Sequence, residues 1–164
     1  MTRPAAGGLL AALLMAGVVA AMIQDPRSAV TVRDADGALL ASIPLADGQG
    51  FALQYRNSLY GTVAEERFAI AERGQVRLVE LAADQLAVLE EYYAVTQPAV
   101  RAPRGSRRMW VAEPAQTVEL DELTIAATDL GERTLLVAGH SPVPLWELVE
   151  ADPTVVLQVE GAGP

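Results

Sequence analysis

The stretch FALQYRNSLYGTVAEERFAI, residues 51–70, predicts a β-hairpin. Apolar and polar residues alternate on both sides of a segment rich in Asn, Ser, Gly and Thr, as is typical of strands with one buried face. Antiparallel pairing of Phe51 with Ile70 and of Leu53 with Phe68 directs the apolar side chains of both strands to one face. The loop is then predicted over 58–63, where a glycine relieves the turn.

Polar side chains occupy the loop end of that same face. In the predicted register Tyr55 lies opposite Glu66 and Asn57 lies opposite Ala64, with Ser58 next along the chain. A carboxylate that faces inward requires hydrogen-bond donors or water, and Tyr55 and Asn57 can donate. Tyr55, Asn57, Ser58 and Glu66 are therefore predicted to form either a polar plug that closes the end of the fold or a small pocket for a ligand or partner group.

Short apolar runs punctuated by Gly, Pro and Asp continue through the rest of the chain, and Val, Ile, Leu and Thr dominate them. This spacing predicts a mainly β protein, either an antiparallel β-sandwich or a small barrel, preceded by an N-terminal hydrophobic helix. A single β domain is predicted over 26–160. The further runs are AVTVR (29–33), ALLASI (38–43), RFAIAE (67–72), VRLVELA (76–82), VELDELTIAA (118–127), RTLLVA (133–138) and TVVLQV (154–159).

The segment ADQLAVLEEYYAV, residues 83–95, fits two structures. Leu86, Leu89 and Tyr93 recur at helical spacing, whereas alternation would place Leu89 and Tyr93 on one face of a strand. A strand is favoured because the neighbouring runs are strands, and the helix stays open as the alternative.

The N-terminal segment 1–25 is predicted to be a signal peptide or membrane anchor. Its uncharged run 5–23 has 19 residues, and a helix of that length spans about 28 Å, close to the roughly 30 Å of a bilayer core. A small-x-small motif that ends at Ala21 would also permit cleavage. We therefore expect an extracytoplasmic protein, periplasmic or at the cell surface, either anchored by 5–23 or released after cleavage near Ala21.

Composition excludes several classes of function. The formal net charge of −9 disfavours binding to a nucleic-acid backbone. The chain contains no Cys and a single histidine, His140, so a thiolate or histidine-cluster metal site is excluded. We expect no metal site and no cofactor.

The segment QPAVRAPRGSRRMW, residues 97–110, is predicted to be a loop because it contains two Pro and one Gly. It concentrates positive charge in an otherwise acidic protein. It is interpreted either as a solvated loop or as a docking patch for an acidic partner or anionic lipid head groups. The patch would consist of Arg101, Arg104, Arg107 and Arg108.

Two enzymatic interpretations of the sequence have no supporting motif. A triad of Ser58, His140 and Glu66 lacks the Gly-x-Ser-x-Gly turn of a nucleophile elbow, and Ser141 beside His140 lacks it as well. A pair formed by Glu65 and Glu66 would lie on opposite faces of a strand and could not act on one bond. We therefore predict no catalytic residues.

Several residues of the hairpin carry a resemblance to the bacterial domain-of-unknown-function 1850 family, whose pattern is approximately Phe-x-Leu-x-Tyr, His-Ser, Thr-Pro-Val, then Glu-Glu and an aromatic. Asn57 stands where the family has His, and Val63 stands where it has Pro. The family's glycine-rich segment is replaced by YYAVTQPAV. The matching residues are Phe51, Leu53, Tyr55, Ser58, Thr62, Glu65, Glu66 and Phe68.

The resemblance implies an exported protein encoded beside tripartite ATP-independent periplasmic (TRAP) transporters of the TAXI type. It implies a non-enzymatic accessory role near a TRAP-type permease or its solute-binding receptor. A stand-alone periplasmic module that binds a small ligand is the alternative, and a degenerate hydrolase-like enzyme is the third hypothesis.

Overall fold

The computed structural model describes residues 28–150 and 153–161. Over these residues the protein is mainly β, with antiparallel sheets that do not close into a barrel, so the barrel is excluded and the arrangement is consistent with a β-sandwich. The predicted signal peptide or anchor, 1–25, lies outside the described residues. Within them, no helix has the length and apolar character needed to cross a bilayer.

The smaller sheet joins the two ends of the described chain. Its central strands are antiparallel, with Val32 opposite Leu157. Both of these side chains are buried, so this pairing closes the fold by a contact between residues distant in sequence. In spatial order the strands are β2 (Leu39–Leu45), β1 (Ser28–Asp34), β12 (Thr154–Glu160) and β9 (Leu123–Ala126).

The larger sheet is built around the hairpin of the quoted stretch. Its strands are also antiparallel, and one short strand, β8 (Glu119–Leu120), pairs with β5 outside the main order. In spatial order the others are β11 (Val143–Pro144), β10 (Thr134–Leu136), β3 (Phe51–Arg56), β4 (Val63–Ile70), β5 (Val76–Ala83), β7 (Trp110–Ala112) and β6 (Val100–Arg101).

The predicted hairpin register is wrong by two residues. Phe51 pairs with Phe68, and Tyr55 pairs with Ala64. The turn is tighter than predicted because the backbone N–H of Asn57 donates to the Thr62 carbonyl at 2.8 Å, which extends the pairing beyond the strand ends. A shift of two residues preserves the alternation, so every side chain keeps its predicted face.

A continuous hydrophobic core lies between the two sheets. Val30 and Leu157 of the smaller sheet pack in one cluster with Phe51, Leu53 and Phe68 of the larger sheet. The rings of Phe51 and Phe68 stack with centroids 5.1 Å apart. The face of β3 and β4 that carries these residues is called the inner face below.

The preference for a strand over 83–95 is wrong. The chain leaves β5 and forms a single π-helical turn, Val88–Tyr92, in which Val88 and Leu89 are fully buried. These residues pack on the inner face beside Tyr55. The position next to β5 in the sheet is taken by β7, and so this segment covers the sheet instead of extending it. Two further short helical turns are Glu72–Gly74 and Leu145–Glu147, both 3₁₀.

Candidate functional site

Two tyrosines and a glutamate form a chain of hydrogen bonds on the inner face. The Tyr93 hydroxyl donates to Oε1 of Glu66 at 2.7 Å and lies 2.5 Å from the Tyr55 hydroxyl. Strand β3 supplies Tyr55, β4 supplies Glu66, and Tyr93 follows the π-helical turn. The structure thus brings together Tyr55 and Glu66, which the sequence placed on one face, through a third residue that the prediction did not include.

An arginine completes this group. The Arg133 guanidinium lies 5.0 Å above the centre of the Tyr55 ring, and its Nη1 is 3.6 Å from Oε2 of Glu66. The cation therefore contacts both the aromatic face and the carboxylate. We call Tyr55, Glu66, Tyr93 and Arg133 the tyrosine cluster.

Burial moves the pKa of both phenols of the tyrosine cluster further above physiological pH, where a phenol is already neutral. Burial, opposed by the hydrogen bond with Tyr93 and assisted by the charge of Glu66, raises the pKa of Tyr55 to about 12. Burial, together with the charge of Glu66, also raises the pKa of Tyr93 far above its ordinary value. The two hydroxyls therefore serve as hydrogen-bonding groups and are unsuited to act as general bases near pH 7.

The other two residues of the predicted polar group shape or flank the turn. Asn57 is buried, and its Oδ1 accepts hydrogen bonds from the backbone N–H groups of Leu59 and Tyr60 at 3.0 and 3.1 Å. This geometry is an Asx turn, which holds the loop in place. Ser58 is exposed on the same turn.

A second charged group lies on the opposite face of the larger sheet. The Glu65 side chain is 0% exposed. Three guanidinium groups surround its carboxylate. Arg107 binds it in bidentate fashion, through Nε and Nη2 at 3.0 Å each. Nε of Arg67 lies 3.1 Å from Oε2, and Nε of Arg108 lies 3.0 Å from Oε1. We call Glu65, Arg67, Arg107 and Arg108 the arginine cluster.

The guanidinium groups of the arginine cluster have further partners. Arg67 also binds Glu80, and Arg108 contacts Asp84 at 3.4 Å and the side-chain oxygen of Gln54. A buried carboxylate is stable only when such pairing offsets the loss of its hydration. Burial alone would raise the pKa of Glu65, but the hydrogen bonds from Arg107 and the neighbouring positive charges outweigh burial and lower it.

The arginines of the predicted docking patch point in different directions. Arg107 and Arg108 turn onto Glu65, and the Arg108 side chain is only 12% exposed. Arg101 lies 4.6 Å above the centre of the Trp110 ring, while Arg104 is exposed. Two of the four charges are therefore committed to an internal ion pair.

The topology separates the residues of the hypothetical triad. His140 follows β10, which pairs with the beginning of β3 through Leu136 and Ala52, whereas Ser58 follows the other end of β3. At about 3.3 Å per residue this places Ser58 and His140 roughly 20 Å apart, too far for proton transfer between them. Within the described residues, no group of three or more His, Cys, Asp or Glu side chains could hold a metal ion.

Four contributors to these clusters are absent from the predicted site residues: Tyr93, Arg133, Glu65 and Arg67. The helical spacing of Leu86, Leu89 and Tyr93 was a usable signal, because it directs Tyr93 to the buried side of its turn. The sequence suggested Glu65 only as half of a carboxylate pair, although strand alternation already placed it on the face opposite Glu66.

No protein-family model, curated protein or solved structure matches the chain.

Proposed function

We propose that this chain is an exported, non-enzymatic accessory protein of a TAXI-type TRAP transporter that docks on the permease or its solute-binding receptor. The support is the resemblance of the hairpin to the domain-of-unknown-function 1850 family, the apolar N-terminal run, and the surface at one end of the larger sheet. That surface is the structural observation on which the proposal rests.

Three large apolar side chains are exposed at the hairpin end of the larger sheet. Leu59 is 71% exposed, Leu130 is 69% exposed and Tyr92 is 54% exposed. Clustered exposed apolar residues are typical of surfaces that contact another protein. We call Leu59, Tyr92 and Leu130 the hairpin-end surface.

Hydrogen bonds hold the three segments of the hairpin-end surface together. The Arg56 N–H donates to the Gly131 carbonyl at 2.8 Å, beside Leu130. The Tyr60 hydroxyl, next to Leu59, donates to Glu91 at 2.7 Å, beside Tyr92. A surface pre-ordered in this way loses little conformational entropy when a partner binds.

The tyrosine cluster adjoins this surface, since the rings of Tyr93 and Tyr92 meet edge to face with centroids 5.1 Å apart, and it supports a binding role over a chemical one. Its hydroxyl and carboxylate groups are hydrogen-bonded to each other, and Tyr55 is only 6% exposed. Groups that are satisfied internally support the geometry of a surface and lack the exposed nucleophile and base of a hydrolase.

Co-purification from detergent-solubilised membranes of the native host tests this proposal. The tagged full-length chain is cross-linked in cells, and recovery of a TRAP permease or solute-binding receptor is quantified by mass spectrometry. We expect the double variant Leu59→Asp/Leu130→Asp to reduce that recovery at least fivefold. Recovery of neither protein with the wild-type chain, or equal recovery with the variant, would refute the proposal.

Controls must leave the arginine cluster intact. Charge reversal at Arg107 or Arg108 would disrupt the Glu65 ion pairs and confuse unfolding with loss of docking. Arg104→Glu changes the charge of the exposed loop without breaking those pairs. Leu39→Asp, at a 54% exposed leucine on the smaller sheet, is the matched control for an added carboxylate at an apolar surface position.

A further inference from the structure

A cleft on the side of the larger sheet that carries the arginine cluster has a composition unlike the rest of this acidic protein. It has a volume of about 410 Å³ and lies between the start of β3, the loop that carries Arg107 and the turn after β10. Among the residues that the structure describes, its wall contains three basic side chains, Arg67, Arg107 and His140, and no acidic one. In a chain of net charge −9, a wall that presents guanidinium groups and no carboxylate is suited to an anion, although both guanidinium groups also pair with Glu65 behind the wall.

The guanidinium groups at the cleft retain hydrogen-bonding capacity. A guanidinium carries five N–H donors, and the bidentate contact with Glu65 uses one on Nε and one on Nη2 of Arg107. The Arg107 side chain is 58% exposed, so its remaining donors are within reach of solvent or a ligand. Glu65 itself is fully buried and does not line the cleft.

Glu65 acts here as a positioning residue. It holds Arg67 and Arg107 from below, so both cations are oriented before any ligand arrives. Preorganised charges of this kind bind an anion without the entropic cost of ordering long side chains. The same contacts offset the lost hydration of a fully buried carboxylate at this position.

The remaining wall of the cleft is apolar. Ala52, Leu136 and Pro142 contribute to it. The backbone at Gly50 lies so close to β4 that a Cβ there would be 2.0 Å from the Phe68 carbonyl oxygen. A cavity of a few hundred cubic ångströms that combines charged donors with apolar walls is typical of a site for a small molecule.

We propose that this cleft binds a small organic anion that has one carboxylate and a short apolar chain. The carboxylate contacts the guanidinium groups of Arg67 and Arg107, and the chain lies against Ala52, Leu136 and Pro142. This site is separate from the hairpin-end surface, so the proposal is independent of the docking role.

Calorimetric titration of the exported chain with hexanoate, hexanamide and inorganic phosphate tests the site. Hexanamide has the same chain without the charge, and phosphate has charge without the chain. We expect hexanoate to bind at least tenfold more tightly than either. Equal binding of hexanoate and hexanamide, or phosphate binding as tight as that of hexanoate, would overturn the proposal.

Two variants test whether hexanoate binds in this cleft, and neither changes a residue of the arginine cluster. Ala138→Trp fills the cleft from an exposed position in its wall, and His140→Glu adds a repelling carboxylate on the exposed turn. Each is expected to weaken hexanoate binding at least tenfold, while Arg104→Ala outside the cleft leaves it unchanged. If either variant retains wild-type affinity while folded, as checked by circular dichroism, the assignment to this cleft is wrong.

Discussion

Glu65 and Glu66 are neighbours on β4, yet their carboxylates have different partners and different burial. Glu65 is fully buried among three guanidinium groups, whereas Glu66 accepts a hydrogen bond from the neutral phenol of Tyr93 and has one guanidinium nearby. Strand alternation sends the two side chains to opposite faces, where different elements cover them. One fold therefore contains a cluster held by several ion pairs to one carboxylate and a cluster in which two phenol hydroxyls and a single guanidinium surround a carboxylate.

The difference shows how the two faces of one sheet are stabilised. The arginine cluster depends on keeping a carboxylate ionised, so it is sensitive to acid. The tyrosine cluster depends on keeping phenols protonated, so it is sensitive to alkali. These opposite sensitivities make the comparison testable.

The largest effect is expected from neutralising Glu65. Glu65→Gln leaves three guanidinium groups without their shared carboxylate, and disruption of a buried ion pair typically costs about 3–5 kcal/mol. Urea unfolding at neutral pH measures this loss. Glu66→Gln is the matched neighbour and should cost only about 1 kcal/mol, since the amide oxygen still accepts from Tyr93. Equal losses in the two variants would contradict the comparison.

Glu65→Gln also tests the predicted sensitivity of the arginine cluster to acid. The pKa of Glu65 is lowered in the folded protein, so the unfolded chain binds the proton more readily and folding stability falls as pH drops below the ordinary value of 4.5. Glu65→Gln has no such titration. Urea unfolding from about pH 6 to pH 3 should therefore show the gap between wild type and variant narrowing as pH falls, and a constant gap would refute the lowered pKa.

Alkaline unfolding probes the tyrosine cluster. The pKa of Tyr55 is raised from 10.0 to about 12, so the unfolded chain loses this proton first. The stability linked to Tyr55 is fully present below pH 10 and is lost as pH rises towards 12, by about 2–3 kcal/mol. The chain has no Lys, so tyrosines dominate titration in this window. Tyr55→Phe should flatten the profile relative to wild type, and an unchanged slope would contradict the assignment.

Removal of the Tyr93 hydroxyl should lower the free energy of unfolding less than the changes at Glu65 do. Tyr93→Phe keeps the ring but leaves the Tyr55 hydroxyl and the Glu66 carboxylate without their shared partner. The expected loss is about 1–2 kcal/mol at pH 7, with an unchanged denaturant slope because packing is retained. Tyr92→Phe, on the adjacent exposed ring, is the control and should be nearly neutral. A loss as large as that of Glu65→Gln would mean that the hydroxyl bridge rivals the buried ion pairs.

The smallest effect is expected at the exposed ion pair between Arg56 and Glu132. Nη2 of Arg56 lies 2.9 Å from Oε2 of Glu132, but both side chains are nearly half exposed. Surface pairs of this kind contribute about 0.5 kcal/mol or less. Arg56→Ala, measured by urea unfolding in low and high salt, should differ little from wild type. A loss above about 1 kcal/mol would show that the contrast between buried and exposed pairs is overstated.

The residues by themselves determined which faces the hairpin side chains occupy. Tyr55 and Glu66 share the inner face and Glu65 points away from it, because alternation with period two is a property of any extended backbone. The predicted faces are correct despite the two-residue error in register, because a shift of two residues preserves the alternation. The mainly β class likewise follows from local apolar runs and turn residues, as in β1 and β12.

Only the tertiary structure decided which partners these side chains meet. Tyr93 reaches Glu66 across 27 positions, and Arg107 reaches Glu65 across 42. Helical spacing of Leu86, Leu89 and Tyr93 permitted a helical turn over 88–92, but only the pairing of β7 with β5 decided against a strand in this segment. Contacts between segments that are distant in sequence depend on packing of the whole core. The two clusters and the cleft could therefore not be predicted from sequence periodicity.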